Sequence, residues 1–286
     1  MDMFLSQCVN GLNNTSLLLL VALGMSIIFG IMGVINMAHG ELVMIGAYVT
    51  CFISNTLKLP IIVSIIASML ITAIVGILIE VVVVRHLYNR VIETMLATYG
   101  VSLVLQQIVR TIFGNGTPKM ISPIKGTFNL GKITIPNYNI FVLLVAIIAL
   151  SFTGILFYRT KIGKEIRGIT QNRTMCECLG IDSGKIDTIT FAYGTALAGL
   201  AGCILSPLKN ISVTMGSAYL TDSFMTVIVG GINSLFGTAV GSFLIGEPSI
   251  VLGGYMSEIT AKIIVLILVV IFIRSKPEGI FKTERR

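Results

Sequence analysis

Between Ile61 and Ile79 the chain runs without one charged side chain, and stretches of the same character recur along nearly all of its length. A helix needs about 20 apolar residues to cross the hydrocarbon core of a bilayer. A soluble fold cannot hide so many such runs, because much of its surface must face water. The composition agrees. Of the 286 residues, 55% are hydrophobic and 12% are charged, where a soluble domain carries about 25% charged residues. The mean hydropathy is +0.94. A transmembrane β-barrel needs short alternating segments, and these runs do not alternate. The expected fold class is an all-α polytopic membrane protein in a single transmembrane domain over 1–286.

Full-length spans are expected at 11–33, 60–84, 93–113, 139–158, 187–207 and 258–274, with shorter ones at 42–57 and 236–254. Lys and Arg collect in cytoplasmic loops. Thirteen of the 20 lie in the set of loops that holds 85–90, 159–186 and the C-terminus, against five in the opposite set. Arg110 and Lys262 sit near span ends, where long side chains snorkel. The N-terminus is therefore expected outside, and the net charge of +7 is a topology signal that requires no nucleic acid. With residue 208 outside and 274 inside, an odd number of crossings separates them. The apolar stub 223–232 must then enter the membrane and turn back, as a broken or re-entrant half-helix. About eight spans plus this half-helix result.

Several chemistries find no support. The five cysteines are scattered, and Cys176 and Cys178 have no nearby His to build a zinc site, which wants four ligands. There is no GxxxxGK[ST] phosphate loop. With His39 and His86 as the only histidines, hydrolysis has little to work with. No metal site, cofactor or catalytic residue is expected in this chain. The N-terminus lacks a positive region and a small-residue cleavage site, so no cleaved signal peptide is expected.

Two glycine-broken places stand out. Gly30 to Glu41 carries Asn36, His39 and Glu41; Val229 to Gly241 carries Asn233, Ser234 and Thr238. Irregular backbone at membrane depth persists only where protein or a wet cavity surrounds it, and short glycine-interrupted segments point to a transport path. The six polar residues are expected to line a translocation pathway; tight turns at the membrane face fit the same pattern. Glu80 and Glu93 are expected to pair locally with Arg85 and Arg90, and Glu247, just before Pro248 in the helix after the stub, is a candidate to face the pathway. The small-residue stripes Gly194, Ala198, Gly202 and Gly237, Gly241 suit close helix packing, within the chain or against another subunit.

Loop 114–138 is read as an extracytoplasmic connector or, from the alternation over 127–135, a small hairpin lid. Loop 159–186 is the longest cytosolic segment. Met175, Leu179 and Ile181 follow a polar stretch at helical spacing, so a short amphipathic helix ending at Gly180 is expected. Such a helix docks in a partner's groove or lies on the membrane face.

The run GIMGVINMAHGELVMIGAY at 30–48 resembles the signature of permease subunits of branched-chain amino acid-type ABC importers. The likeness continues through LATYGVSLVLQQIVRTIFG at 96–114, IGKEIRGITQNRTMCECLGI at 162–181, FMTVIVGGINSLFGTAVGSFLIG at 224–246 and KPEGIF at 276–281. Within that family, INMAHGE, TQNRTMCECLGI and DSFMTVIVGG are most similar to the urea-transport branch. The resemblance implies a second, similar permease, two cytoplasmic ATPase subunits that bind ATP and Mg, and an extracytoplasmic substrate-binding protein. Lys164, Arg167, Arg173, Met175, Leu179 and Ile181 would then couple the chain to an ATPase. Urea or a short amide is the expected substrate; branched-chain amino acid import, or an ATP-independent channel for a small neutral solute, are the alternatives. The expected location is a bacterial cytoplasmic membrane.

Overall fold

The computed structural model describes residues 2–88, 90–114, 116–118, 120, 123–124, 126–130, 133–232, 234–276 and 279–281. Helix α1 spans Asp2–Met32, α2 His39–Thr56 and α3 Ile61–Val82; a 3-10 turn over Val84–Leu87 leads to α4, Val91–Phe113. Strands β1, Thr127–Leu130, and β2, Ile133–Pro136, form an antiparallel hairpin with Thr127 opposite Pro136. Then follow α5 Asn137–Arg159, α6 Lys161–Gln171, α7 Arg173–Cys178, α8 Ser183–Leu205, α9 Met215–Gly230, α10 Leu235–Gly253 and α11 Glu258–Ser275. Among the described residues six helices are long and apolar enough to cross a membrane: α1, α3, α4, α5, α8 and α10. The chain is an all-α polytopic membrane protein, with one small hairpin between α4 and α5.

The helices are built inside out relative to a soluble fold. In α3 the buried face is Ser64, Ser68, Thr72, Gly76 and Glu80, at four-residue spacing, while Ile62, Ile66, Leu70, Ile74 and Leu78 point outward. In α4 Thr94, Thr98 and Ser102 are buried in the same way. Lipid tails are as apolar as Leu, so small polar side chains mark the packed face. Their hydroxyls return to their own helix: Thr72 Oγ1 donates to the Ser68 carbonyl at 2.7 Å, and Thr98 Oγ1 to the Thr94 carbonyl at 2.8 Å.

Helices α1 and α8 form the centre and are buried over most of their length. Gly194 and Ala198 of α8 meet the backbone of α1 at Gly24, and Gly202 meets α2 at Val43 and Ala47. A Cβ at Gly202 would stand 2.0 Å from the Val43 carbonyl oxygen. On α10, Gly237 and Gly241 press against Gly230 and Thr226 of α9. Both small-residue stripes therefore serve packing within the chain.

The stub expected at 223–232 is part of a longer helix. Helix α9 starts at Met215, and its 16 residues reach about 24 Å. Its first turn packs on the first turn of α2, where Gly216 touches Gly40 and Glu41. The α2 start lies in turn beside Val21 and Gly24, well inside α1. Two helices thus begin in the interior of the bundle, with the buried residues Ser206, Ile211 and Val213 on the approach to the second.

Candidate functional site

The connection 33–38 between α1 and α2 is irregular, and it delivers Asn36, His39 and Glu41 to the interior junction of α1, α2, α4 and α9. All three are buried, Asn36 and His39 completely. Asn36 Oδ1 accepts from the Ala38 N–H at 3.0 Å, forming a local turn that launches α2. His39 Nε2 donates to the Val21 carbonyl at 3.1 Å; in the neutral ring this leaves Nδ1 as the acceptor. Glu41 Oε1 accepts from Ser102 Oγ at 3.3 Å and from Gln106 Nε2 at 2.8 Å, both on α4. The Met37 N–H donates to Thr98 Oγ1 at 3.1 Å, so a second position on α4 grips the connection.

Each of the three side chains keeps one buried atom without a partner: Asn36 Nδ2, His39 Nδ1 and Glu41 Oε2. Buried polar groups are ordinarily satisfied, so three orphans at one helix start are an unusual reserve of hydrogen-bonding capacity. One is a donor; Nδ1 of the neutral ring and the carboxylate oxygen are acceptors. Glu41 Oε2 lies against the backbone of Gly216 at the start of α9. The site is closed in this conformation and can receive a polar solute only if the helices around it move.

The second glycine-broken segment is different. Asn233 lies outside the described residues. Ser234 caps α10, accepting from the Gly237 N–H at 2.9 Å. Thr238 is buried and donates to Ser26 Oγ on α1 at 2.9 Å. Gly230 and Gly237 touch backbone to backbone, and the Ile280 and Phe281 N–H groups bond the Val229 and Gly230 carbonyls at 3.0 and 3.3 Å. This is a close-packed helical hairpin in which Ser234 and Thr238 are both hydrogen-bonded. Glu247 does not join either segment. It packs against Gly11 and Cys8 at the N-terminal part of α1.

At the end of the bundle where α5 stops, the segment 159–186 folds into two helices, not one. The break has a local cause: the Asn172 side chain accepts from the Met175 N–H at 3.0 Å and starts α7 anew. The expected glycine cap is present. Gly180 has φ +82, and the Gly180 and Ile181 N–H groups return to the Glu177 and Cys176 carbonyls, a Schellman closure. Met175 on α7 is 60% and Leu179, the residue that caps it, 73% exposed, so α7 and its cap present two apolar side chains outward. Ile181 instead packs inward, against the core cluster.

Arg173 is engaged within the chain. It pairs with Asp187 at 2.7 Å and Glu177 at 3.3 Å, and its guanidinium lies 5.1 Å from the centre of the Tyr88 ring. The Ser183 hydroxyl and Arg173 hold the Glu177 carboxyl below the usual range. Arg167 covers the Tyr158 ring at 5.3 Å, and Lys164 is exposed. Tyr88 also donates to Glu80 at 3.2 Å, and Glu80 pairs with Arg85 at 3.0 Å. Arg90 pairs with Glu93 at 3.1 Å. The local ion pairs expected at both acids are present, and Arg173 ties α7 to α8 through Asp187 and to Tyr88 just beyond the 3-10 turn.

Sequence reading missed Ser26, Thr98, Ser102 and Gln106. The last three had a visible signal: with Thr94 they form a polar stripe at four-residue spacing on an otherwise apolar helix.

A model of the family described as the permease component of branched-chain amino acid transport systems matches residues 7–273. The high-affinity branched-chain amino acid transport system permease protein BraD of Pseudomonas aeruginosa is 30% identical over 97% of this chain and 95% of its own length. The corresponding LivH protein of Escherichia coli is 26% identical over 97% and 95%. The ribose import permease protein RbsC of Haemophilus influenzae is 26% identical over 83% and 74%. No solved structure matches the chain significantly.

Proposed function

The chain belongs to the branched-chain amino acid transport permease family, and on that premise we propose that it is the membrane-spanning subunit of an ATP-driven importer of apolar amino acids. It works with a second permease, two cytoplasmic ATPase subunits that carry ATP and Mg, and an extracytoplasmic binding protein. It sits in a bacterial cytoplasmic membrane with 159–186 inside, and has no catalytic step of its own. The urea specificity that the wording of several segments suggested finds no support in the relatives named above, two of which are branched-chain amino acid permeases.

Two features support the transport reading. The interior junction at Asn36, His39 and Glu41 offers unpaired donors and acceptors where two helices begin. Polar groups at that depth suit a solute that has shed its water. Irregular backbone there is the kind that transporters place along their route.

The observation that carries the coupling is α7. Two exposed apolar side chains stand on a short helix and its cap, locked to α8 by Arg173 and Asp187. A movement imposed on Met175 and Leu179 therefore reaches α8, which touches α1, α2 and α3. Burying a Leu-sized side chain stabilises by about 1.5–3 kcal/mol. Leu179→Asp is expected to weaken ATPase docking at least roughly tenfold. Arg167→Ala, at the edge, has a smaller and salt-sensitive effect. Co-purified ATPase and substrate-stimulated ATP hydrolysis measure both. Wild-type values in Leu179→Asp would remove α7 as the coupling element.

A further inference from the structure

A cavity of about 720 Å³ opens between α1, α9, α10 and α11. It is separate from the closed junction, and its lining includes Lys209 just beyond the end of α8 and Glu258 at the start of α11. It thus opens at the end of the bundle opposite α7. Its lining includes the apolar side chains Leu18, Ile245 and Val265. It also carries Asp222 of α9 and Lys262 of α11, paired at 3.0 Å, with the Asp222 side chain 20% and the Lys262 side chain 54% exposed.

The geometry points to this cavity as an entry site for a zwitterionic apolar amino acid, held by Asp222 through its ammonium and by Lys262 through its carboxylate. The inference rests on the importer reading above. A carboxylate drawn largely out of water, as Asp222 is, carries a desolvation cost that apolar packing would avoid. Here it stands in the wall of a space large enough for a small ligand, a few charged groups among apolar side chains, as binding pockets are commonly lined. A ligand with both charges on one carbon replaces each partner of the pair by an opposite charge and lays its aliphatic side chain on the apolar lining. A neutral amide would break the pair without replacing either charge.

The position also links entry to the junction. Met215 lines the cavity and immediately precedes Gly216, which packs against Gly40 and Glu41. Asp222 lies on the same helix, so a ligand inserted between Asp222 and Lys262 bears on α9, whose first turn closes over Glu41.

The test measures labelled leucine binding to the complete permease–ATPase complex in nanodiscs, without the binding protein. Saturable binding is expected, weakened at least tenfold by Asp222→Asn and by Lys262→Met. On the unmodified protein, leucinamide lacks the carboxylate and 4-methylpentanoate lacks the ammonium. Each is expected to compete at least tenfold less well than leucine, and this arm needs no variant that folds. Equal competition by the analogues, or unchanged binding in both variants, overturns the site. So does a cavity that takes phosphatidylethanolamine, a lipid zwitterion, with no displacement by leucine. ATP-driven leucine uptake with wild-type binding in both variants would sink the site and leave the importer intact. Absence of uptake for every apolar amino acid would instead sink the importer reading on which the site rests.

Discussion

The two glycine-broken segments look alike as sequence and fold into opposite things. At 30–41 the chain leaves α1, turns back into the protein and starts α2 beside the middle of α1, leaving Asn36 Nδ2, His39 Nδ1 and Glu41 Oε2 buried and unpartnered. At 229–241 the same kind of residues make a hairpin in which Ser234 caps a helix and Thr238 bonds Ser26. Glycine plays one part in both, letting backbones touch at Gly40–Gly216 and at Gly230–Gly237. Polar chemistry separates them among the described residues: the first segment keeps three buried atoms without partners, while Ser234 and Thr238 of the second are hydrogen-bonded. The proposed transport role rests on the first.

Five substitutions break or sharpen that contrast. The largest effect is shared. A Cβ at Gly40 would stand 2.0 Å from the Gly216 carbonyl oxygen, and one at Gly237 2.2 Å from the Gly230 oxygen. Gly40→Ala and Gly237→Ala are each expected to cost about 3 kcal/mol or more, since backbone cannot yield as a side chain can. Thermal unfolding of the purified protein reads this, and a normal melting temperature in either removes the close approach.

Next comes Glu41→Leu. It strips Ser102 and Gln106 of their acceptor and puts an apolar group into the junction, so uptake is expected to fall at least tenfold while the protein still assembles. Uptake at the wild-type level would reduce Asn36, His39 and Glu41 to turn residues.

Thr238→Val removes the bond to Ser26 and little else. A typical intramolecular hydrogen bond contributes about 1 kcal/mol net, so a small loss of stability is expected, with uptake within about twofold of wild type. A collapse of uptake with stability intact would place the second segment on the pathway as well.

The smallest effect belongs to Gly33→Ala. Nothing lies within 4 Å of a Cβ there, yet φ is +66. The strain of a left-handed non-glycine residue costs about 1 kcal/mol. An unfolding curve should show that and no change in transport.

Much of this was legible beforehand. The apolar runs located every long helix, because the bilayer fixes their length and composition. Parity of the charged loops required a chain element near 223–232 that enters and turns. Its start at Met215 was not legible, because it depends on Gly216 meeting Gly40 across the fold, a contact without local signature. The split of the cytosolic segment at Asn172 has a local signal, a cap residue, that the apolar spacing of Met175, Leu179 and Ile181 masks. Arg173 reads from the sequence as a residue of the coupling loop directed at an ATPase. Only the fold brings Asp187, Tyr88 and Glu177 around it.

We propose that this permease carries apolar amino acids under ATP control passed through α7. Proteoliposomes holding the complete complex, with the binding protein and ATP supplied on their proper sides, test it most directly by comparing labelled leucine with labelled urea. ATP-dependent accumulation of leucine, with urea at background and leucine uptake lost in Leu179→Asp, is the expected result. Accumulation of urea in place of leucine, or leucine entry that proceeds equally without ATP, would contradict it.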